Sequence, residues 1–378
     1  MKKKLHILFL CSWYPSKVLP TNGDFIQRHA EAISTLHTVS VLHIITDKHA
    51  SKSTITTQTL NNVHTHIGYI APTSNPMLKW IRYLRIFKRL LQSVGSFDLV
   101  HLHVTFPFGL FALFLKATQK KPYIISEHWT GYLTAKQHQI SSFQKIIAKR
   151  VVREAAYVCP VSIELMEAMK AFGLSGTYAP IGNVVDTDTF TKNSKKSHAF
   201  TIIHISSFND AQKNISGMLN AAKKLENEIG AFRWKFIGDS LASYAPLIEK
   251  LAFKEAFIEG IEHCSQEVLA VHLQQAHVCV SFSNYETFGI TIAEAIACGT
   301  SVITTRTGIV DELPKDAQLT TIPISDETAL AKAIASIKRN GIHTASETMN
   351  LYIKKHFGKP AIADTFSNLY QNVLHHSL

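Results

Sequence analysis

Two glutamates separated by seven residues are the most informative chemical feature of this sequence. Glu286 precedes and Glu294 follows Gly289 in the segment SNYETFGITIAEAIACG, residues 283–299. The segment is typical of a strand, a loop and the start of a helix, whose free N–H groups favour an anion such as a diphosphate. Glycine allows a ligand to approach the backbone closely. Glu294 lies roughly 7–8 Å further along the helix, at about 1.5 Å per residue. It is therefore within reach of a ribose bound beyond a diphosphate, and Glu286 lies on the side expected for a sugar.

This segment resembles the Glu-x7-Glu motif of family 4 glycosyltransferases, enzymes with the two-lobed GT-B fold. The resemblance implies that Glu286 contacts the transferred sugar and that Glu294 holds the ribose of the donor. It also implies a backbone site for sugar and phosphate, formed by Phe288, Gly289 and Ile290. The alternative is an amphipathic helix with one exposed glutamate. The Phe-Gly pair inside the motif and the strand predicted after it favour the functional interpretation.

The run that follows is also similar to this family. Residues 299–312, GTSVITTRTGIVDE, resemble the family pattern Gly-x-Pro-Val-Ile followed by Gly-Gly-x-x-Glu. Ser301 stands where proline is usual, and Ile309 where a second glycine is usual. Neither change removes a side chain that the chemistry needs, but the loop at Gly308 is expected to differ in shape.

A third similar segment lies at the expected joint between the two lobes. Residues 181–190, IGNVVDTDTF, resemble the family motif Asn-Gly-Val-Asp-x-x-x-Phe, with Val184 in place of the glycine. Asp186 and Asp188 also form an Asp-x-Asp pair, which in the other main glycosyltransferase fold binds a metal ion. The surrounding joint motif favours a structural turn, so we predict no metal site.

The segment HISSFNDAQKN, residues 204–214, resembles the family loop that binds the donor diphosphate. That loop usually carries an arginine and a lysine, because the leaving group gains negative charge as the glycosidic bond breaks. Lys213 matches the lysine, whereas Ser207 stands in the position of the arginine. The resemblance implies that both bind the donor, Ser207 with a hydroxyl in place of a charge. The missing arginine is the largest departure from the family pattern, and a solvated surface lysine is the alternative interpretation of Lys213.

The N-terminal half carries looser matches. A loop after the first predicted strand resembles the family loop beside acceptor and diphosphate, and its central residues are Asn22, Gly23 and Asp24. His128 follows another predicted strand, where the family commonly places a histidine that faces the transferred sugar. The chain has 20 histidines, most of which are expected to be structural or exposed. His101 and His103 are further candidates for the same cleft.

The resemblance implies a retaining enzyme that moves a sugar from a nucleotide-diphosphate sugar to the hydroxyl of a sugar or lipid-linked acceptor. The departing diphosphate would assist the incoming hydroxyl on the same face of the sugar. The predicted catalytic residues are Glu286, His128 and Lys213. Basic side chains and the helix N-terminus are expected to replace a cation, so no metal and no cofactor are predicted. A role in the synthesis of cell-surface polysaccharide or glycolipid is the expected context.

Other functions are less consistent with the sequence. A nicotinamide enzyme would need G-x-G-x-x-G after the first strand, and that motif is missing. The chain also lacks an aromatic and basic platform or a recognised nucleic-acid module. A sugar-nucleotide epimerase, a glycoside phosphorylase or a non-catalytic sugar-nucleotide binder with the same fold remains an alternative.

The elements that must position these residues alternate between short apolar strands and helical patterns. This alternation predicts an α/β fold with two Rossmann-like, doubly wound domains facing across a cleft. The predicted strands of the first half are Leu5–Leu10, Val39–Ile44, Leu99–Val104, Tyr123–Glu127, Tyr157–Val161 and Tyr178–Ile181. Those of the second half are Thr201–Ser206, Trp234–Ile237, Ala256–Glu259, Val278–Phe282, Ser301–Thr305 and Leu319–Ile322.

We predict an N-terminal, acceptor-binding domain over residues 1–182 and a C-terminal, nucleotide-sugar-binding domain over residues 183–359. The final segment, residues 360–378, has apolar residues at helical spacing in Pro360–Leu374 and is expected to pack back onto the N-terminal domain. A chain of 378 residues suits two domains of ordinary size.

Composition indicates a globular protein with an anionic partner. Hydrophobic residues make up 46% and the net charge is +11, which is consistent with a nucleotide diphosphate, an acidic lipid surface or a nucleic acid. No apolar stretch is long enough to span a membrane. The short apolar run after Met1 is interpreted as a buried strand, and the five scattered cysteines as reduced thiols. We therefore expect a cytoplasmic protein.

One segment predicts contact with a membrane surface. Residues 77–91, MLKWIRYLRIFKRLL, carry basic and large apolar residues and no acids. In a helix, Trp80, Leu84, Phe87 and Leu91 would share one face, which suits the headgroup boundary of an anionic bilayer. The alternative is an ordinary helix that buries this apolar face against its own sheet.

Overall fold

The computed structural model describes residues 3–193, 195–316, 318–341 and 347–375. These residues form two compact units of similar size. The N-terminal unit contains the chain up to Val184 together with the last helix, and the C-terminal unit is Val185–Gly358. The two sheets described below confirm the α/β fold that the alternation of strands and helices predicts.

The N-terminal unit contains a sheet of seven strands in the order β3-β4-β2-β1-β5-β6-β7. The strands are β1 (His6–Cys11), β2 (Thr38–Thr46), β3 (Thr54–Leu60), β4 (Val63–Ile70), β5 (Leu99–His103), β6 (Tyr123–Glu127) and β7 (Tyr157–Pro160). All neighbours pair in parallel except β3 and β4, which form an antiparallel hairpin at the edge. The central strand β1 is buried almost throughout, because helices cover both faces of the sheet.

Helices pack on both faces of this sheet. They are α1 (Asp24–Ser34), α2 (Pro76–Val94), α3 (Gly109–Gln119), α4 (Ser142–Glu154) and α5 (Ile163–Ala171). Consecutive parallel strands are joined by right-handed crossovers. The steps from β1 to β2 and from β5 to β6 run in opposite directions along the sheet, so α1 and α3 lie on opposite faces. A core cluster that includes Phe9, Ile26 and Phe366 fills the α1 side.

The edge of this sheet differs from the sequence prediction. The hairpin of β3 and β4 was not predicted, since β3 reads TITTQTL and most of its residues are exposed. The strand predicted at Tyr178–Ile181 is wrong. That segment forms a single bridge between Tyr178 and Val158 and does not extend into a ladder.

Helix α2 also differs from the prediction in the face that it buries. Its N-terminus is capped by the Asn75 side chain, which accepts from the N–H groups of Met77 and Leu78. The buried residues are Ile86, Phe87 and Leu90, whereas Trp80 is 47% and Leu84 43% exposed. The four residues predicted to share one face are therefore divided between the core and the surface.

The C-terminal unit contains a fully parallel sheet in the order β10-β9-β8-β11-β12-β13. Its strands are β8 (Thr201–Ser206), β9 (Arg233–Gly238), β10 (Phe257–Glu262), β11 (Val278–Ser281), β12 (Ser301–Thr305) and β13 (Leu319–Ile322). Its helices are α6 (Asp210–Lys213), α7 (Ile215–Ile229), α8 (Ala245–Leu251), α9 (Gln266–Gln275), α10 (Ile290–Ala297), α11 (Glu327–Asn340) and α12 (Glu347–Phe357). The core includes the fully buried ring of Trp234 beside Phe236.

The last helix, α13 (Lys359–His375), packs in the N-terminal unit. Its buried face includes Ile362, Phe366 and Tyr370, which join the core cluster beside α1. Among the helices of the described residues, none is long and apolar enough to cross a membrane.

Candidate active site

The C-terminal sheet has a topological switch point between its two central strands. After β8 the chain continues to β9, and after β11 it continues to β12 on the opposite side. The two following loops therefore diverge and leave a crevice at the carboxyl ends of the strands, which is where ligands bind in open α/β sheets. Lys213 follows β8 and Glu286 follows β11, so both predicted residues belong to this crevice.

Backbone contacts tie the two loops together. The N–H of Asn284 donates to the carbonyl of Gln212 at 2.7 Å, and its side-chain amide donates to the carbonyl of Ala211 at 3.1 Å. Because Asn284 and Gln212 are close neighbours of Glu286 and Lys213 along the chain, these bonds hold the ends of the two side chains near each other.

Lys213 and Glu286 form an ion pair between Nζ and Oε1. The same carboxylate oxygen accepts a hydrogen bond of 2.8 Å from Ser283 Oγ, and Gln212 Nε2 lies 3.5 Å from Oε2. Glu286 is only 6% exposed, so the pair is partly removed from water and each charge compensates the other. The arrangement offers a cation for phosphate oxygens and a carboxylate that can accept from sugar hydroxyls.

The start of α10 is shaped by two glycines. Gly289 is the N-cap residue and has φ 80°, a left-handed conformation that favours glycine. Gly308, in the loop after β12, has φ 65°, and a Cβ there would lie 2.4 Å from the carbonyl oxygen of Phe288. The next residue, Ile309, donates its N–H to that same oxygen at 3.1 Å. The loop after β12 therefore supports the backbone at which the sugar and phosphate are expected.

Glu294 lies on α10 and is 1% exposed. This burial excludes the alternative of an amphipathic helix with one exposed glutamate, because α10 is buried from Ile292 to Ala297. Burial, and secondarily the carboxylate of Glu294, raise the pKa of the neighbouring Cys298 to about 12. A carboxylate is rarely this buried unless it is paired.

The position of the missing arginine is an exposed serine. Ser207 follows β8 directly and lies before Phe208, a buried residue with φ 50°. Arg306, a candidate for supplying a second positive charge, follows β12. Its side chain is 73% exposed and its Nε contacts Asp311 Oδ1 at 2.6 Å. Lys213 thus remains the basic residue that contacts Glu286 directly.

The N-terminal sheet has its own switch point between β1 and β5. The loop after β1 ends at Gly23, which has φ 78° and caps α1. A Cβ at Gly23 would lie 2.9 Å from backbone atoms of Trp13 and Tyr14, so the loop can close only with glycine. Asn22 is half-buried, and the Asp24 carboxylate accepts from the Phe25 N–H at 2.8 Å.

His128 lies at the carboxyl end of β6 in the same unit. Its ring packs on Phe25, with ring centroids 4.7 Å apart, and its Nε2 lies 3.3 Å from Nδ1 of His103. Burial is the main cause that lowers the pKa values of His128 and His103 well below the usual value. Both rings are therefore neutral at pH 7. His128 therefore contacts Phe25, which directly follows the predicted loop residues Asn22, Gly23 and Asp24.

His101 is a core histidine and does not line a ligand site. It is fully buried. Its Nδ1 is 2.7 Å from the hydroxyl of Tyr370 and its Nε2 is 2.8 Å from Ser126 Oγ. Both ring nitrogens are therefore satisfied inside the unit, and the sequence-based suggestion that His101 lines the cleft is not supported.

The predicted site residues thus form two groups. Lys213 and Glu286 are in contact, and four residues continue along the start of α10: Phe288, Gly289, Ile290 and Glu294. The other group, around His128, belongs to the N-terminal unit. Sequence reasoning assigned no role to Ser283 or Gln212. Ser283 could have been found from its place three residues before Glu286, whereas nothing in the sequence links Gln212 to a residue 74 positions away.

Asp186 and Asp188 lie in a turn. The Asp186 carboxylate accepts from the N–H groups of Asp188 and Thr189, at 3.2 and 3.4 Å. In the described part of the chain, no group of three or more histidine, cysteine, aspartate or glutamate side chains is arranged to hold a metal ion.

Comparison with protein families gives two adjoining matches. Residues 25–189 match the family described as Glycosyltransferase Family 4. Residues 185–356 match the family described as Glycosyl transferases group 1. Together the two matches span nearly the whole of both units. A search of curated proteins found no significant match.

Solved structures of similar fold extend over almost the entire chain. Sucrose-phosphate synthase from Thermosynechococcus elongatus has a TM-score of 0.79 at 18% identity, covering 99% of this chain and 100% of its own. Anabaena HepE in complex with UDP and glucose has a TM-score of 0.74 at 14% identity, covering 97% and 100%. A UDP-forming α,α-trehalose-phosphate synthase from Burkholderia xenovorans, in complex with glucose-6-phosphate, has a TM-score of 0.73 at 11% identity, covering 97% and 100%. These likenesses show a common fold.

Proposed function

Because this chain belongs to family 4 of the glycosyltransferases, we propose that it transfers a sugar from a nucleotide-diphosphate sugar to an acceptor hydroxyl with retention of configuration. The observation that carries this proposal is the contact between Lys213 and Glu286 at the switch point of the C-terminal sheet. It places one cation and one carboxylate beside the glycine-capped start of α10.

Each side chain has a defined task in the proposed reaction. Lys213 stabilises the charge that develops on the diphosphate as the glycosidic bond breaks. Glu286 accepts hydrogen bonds from the transferred sugar, and Glu294 holds the ribose. The departing diphosphate takes the proton of the acceptor hydroxyl, which attacks from the same face of the sugar. His128, neutral at pH 7, contacts the sugar as a hydrogen-bonding group.

The first property to determine is the identity of the nucleotide-sugar donor. HepE was crystallised with UDP-glucose, and the similar trehalose-phosphate synthase is UDP-forming, so we propose a UDP-sugar. A ligand that binds the folded protein raises its stability by RT ln(1 + [L]/Kd), about 2.7 kcal/mol at a hundredfold excess over Kd. A thermal-shift panel of UDP-, GDP- and ADP-sugars should therefore show one stabilising nucleotide.

The reaction type is tested with the stabilising donor carrying ¹³C at the anomeric carbon. NMR should show transfer to an acceptor with unchanged anomeric configuration. Inverted product would contradict the retaining mechanism. Conversion of the donor to an epimer, or phosphorolysis without transfer, would favour the epimerase or phosphorylase alternative. Donor binding without turnover on any acceptor would favour a non-catalytic binder, an alternative raised by the uncharged Ser207.

We also propose that the reaction needs no metal. Lys213 and the N-terminus of α10 would supply the positive potential that a divalent ion supplies in other transferases. Activity measured after dialysis against EDTA should equal that of the untreated protein. Loss of activity that Mg²⁺ or Mn²⁺ restores would contradict this expectation and direct attention to Asp186 and Asp188.

The proposed acceptor is a sugar or a lipid-linked sugar, in a cytoplasmic pathway that builds a polysaccharide or glycolipid. Residues 77–91 are the segment proposed to contact an anionic membrane. They lie on α2, where Arg85, Lys88 and Arg89 are exposed.

A further inference from the structure

Helices α2, α3 and α4 form one continuous layer on a single face of the N-terminal sheet. They connect β4 to β5, β5 to β6 and β6 to β7, so each runs antiparallel to the strands and parallel to the other two. Trp80 of α2 stacks on Phe111 of α3 with centroids 6.1 Å apart. A Cβ on Gly109 of α3 would lie 2.8 Å from Val151 of α4. The N-termini of all three helices therefore lie at the edge where the strands end.

Large apolar side chains project from this layer into solvent. We call them the apolar band, and they lie in the N-terminal and middle turns of the three helices. Their exposed fractions are 73% for Met77, 47% for Trp80, 50% for Phe114, 69% for Phe143 and 67% for Ile146. Single exposed apolar residues are normal, but a band shared by three neighbouring helices marks an interaction surface.

Basic residues lie beside this band, in the C-terminal half of α2. The basic row consists of Arg85, Lys88 and Arg89, which line a groove of about 550 Å³ with Arg82 and Ser53. No carboxylate of the described residues pairs with the basic row, whereas Arg82 donates to the carbonyl oxygens of Ala71 and Pro72. The row is thus an uncompensated positive surface, and Arg82 has a structural task.

We propose that the outer surface of α2, α3 and α4 docks on an anionic phospholipid bilayer. The apolar band enters the headgroup boundary, and the basic row binds lipid phosphates. A nucleic acid would use the basic row but would leave the band exposed. An anionic bilayer satisfies both features at once, since its headgroup boundary accepts aromatic and aliphatic side chains and its phosphates attract basic ones. The surface extends the segment 77–91 by two helices.

The docking surface also has an orientation. The band lies at the edge of the sheet where the strands end, and the loop of Asn22 and Gly23 after β1 and His128 after β6 lie at that edge too. A lipid-linked acceptor would therefore reach the N-terminal unit from the membrane side, an inference that rests on the proposed function. Docking itself does not depend on the transfer reaction, so vesicle binding and donor binding can fail separately.

The first experiment measures co-sedimentation with phosphatidylcholine vesicles, with and without phosphatidylglycerol. Binding should require the anionic lipid and decrease with salt. The triple variant R85Q/K88Q/R89Q should lower the partition coefficient roughly a hundredfold, since each basic residue near the surface contributes about fivefold. The matched control K250Q/K332Q/K355Q removes the same charge from exposed positions of the C-terminal unit and should bind like the unmodified protein.

The second experiment tests the apolar band. Phe143 and Ile146 lie three residues apart on α4 and are both exposed, so F143S/I146S should fold normally and lose at least about tenfold in partitioning. The control V268S/V271S changes two exposed residues at the same spacing on α9 and should have no effect. Circular dichroism and UDP-sugar thermal shift report folding and donor binding in every variant.

Three results would overturn the proposal. They are absence of binding to anionic vesicles at low salt, equal losses in the two charge variants, and full binding by F143S/I146S. Retention on duplex DNA that depends on the basic row, without binding to vesicles, would identify a nucleic acid as the partner instead.

Discussion

At the scale of single residues, the contact between Lys213 and Glu286 connects two side chains with different proposed roles, one towards the diphosphate and one towards the sugar. The amine that would neutralise the diphosphate is bonded to the carboxylate that would meet the sugar. Ser283 donates to the same carboxylate oxygen, so Glu286 keeps one hydrogen-bond donor when the amine turns towards phosphate. Removing either charged partner leaves the other buried and uncompensated, which must be controlled for in any variant.

The two glutamates should separate binding from turnover. Glu294→Ala removes the proposed ribose contact and should weaken UDP binding at least tenfold, because a hydrogen bond to a charged group contributes about 1.5–3 kcal/mol. Glu286→Gln keeps the shape of the side chain and should lower kcat with little change in donor affinity. Calorimetry and initial rates measure the two quantities. Equal and negligible effects from both variants would contradict the assignment.

Lys213 should carry most of the phosphate stabilisation, since Ser207 replaces the arginine. We expect Lys213→Ala to lower turnover by about 10²–10³, the range for loss of one contact to a developing anion, about 2.7–4 kcal/mol. The double variant K213A/E286Q controls for the unpaired carboxylate, because it removes both charges. If the single variant keeps a near-normal rate in a folded protein, another basic residue supplies the charge, and Arg306→Ala should then be tested.

At the scale of elements, the loop after β12 is expected to determine the geometry at the start of α10. In Gly308→Ala the new Cβ would meet the Phe288 carbonyl at 2.4 Å, so the loop must shift. Gly341→Ala is a matched control, since Gly341 also has positive φ but nothing within 4 Å of the added Cβ. Both should lose about 1 kcal/mol of stability to backbone strain. Only Gly308→Ala should also weaken donor binding, which calorimetry would show.

The elements that could be predicted from sequence are the central strands, which are buried along most of their length. Strands such as Thr201–Ser206 and Ser301–Thr305 are buried on both faces and read as apolar runs, and the structure has the same bounds. The β3–β4 hairpin was missed because an edge strand rich in threonine resembles a loop. In α2, the predicted apolar face of Trp80, Leu84, Phe87 and Leu91 is not the face that is buried, which is formed by Ile86, Phe87 and Leu90. Helical spacing alone does not say which of two apolar faces packs on the sheet.

The residues of the candidate site could be predicted one local motif at a time, but the contacts between motifs could not. The motif from Glu286 to Glu294 forms one loop and one helix, so local spacing describes it. The pairing of Glu286 with Lys213 joins residues 73 positions apart. It depends on the order of strands in the sheet, which local patterns do not specify.

At the scale of the whole molecule, buried histidines are distributed unevenly between the two units. Burial lowers the pKa values of His29 and His43 to about 4 and those of His101, His103 and His128 well below 6.5. Among the described residues of the C-terminal unit, burial lowers the pKa of His204 to about 4 and also lowers those of His272 and His277. The unfolded chain binds more protons than the folded chain between pH 6.5 and 4, so stability falls as pH decreases through this window.

The N-terminal unit should therefore lose stability first on acidification. Each buried histidine contributes a slope of up to about 1.4 kcal/mol per pH unit. Glu127 opposes this trend. Burial raises its pKa, so its protonation favours the folded state as pH decreases. The variant W234F retains tryptophans only in the N-terminal unit, at positions 13, 80 and 129. Its fluorescence midpoint in urea should decrease more between pH 7 and pH 5 than the midpoint from circular dichroism, which reports both units. Equal decreases would contradict the prediction.

The last helix has a consequence for the order in which the molecule is assembled during its synthesis. The chain leaves the N-terminal unit at Val184, completes residues 185–358, and then returns with α13. A ribosome therefore finishes the C-terminal unit before it has made Phe366 and Tyr370, which cover α1 and contact His101. Until then, the half of the protein that is translated first has an uncovered apolar face, and Nδ1 of His101 lacks its Tyr370 partner. A chaperone bound to the nascent N-terminal half would cover this face until α13 is made.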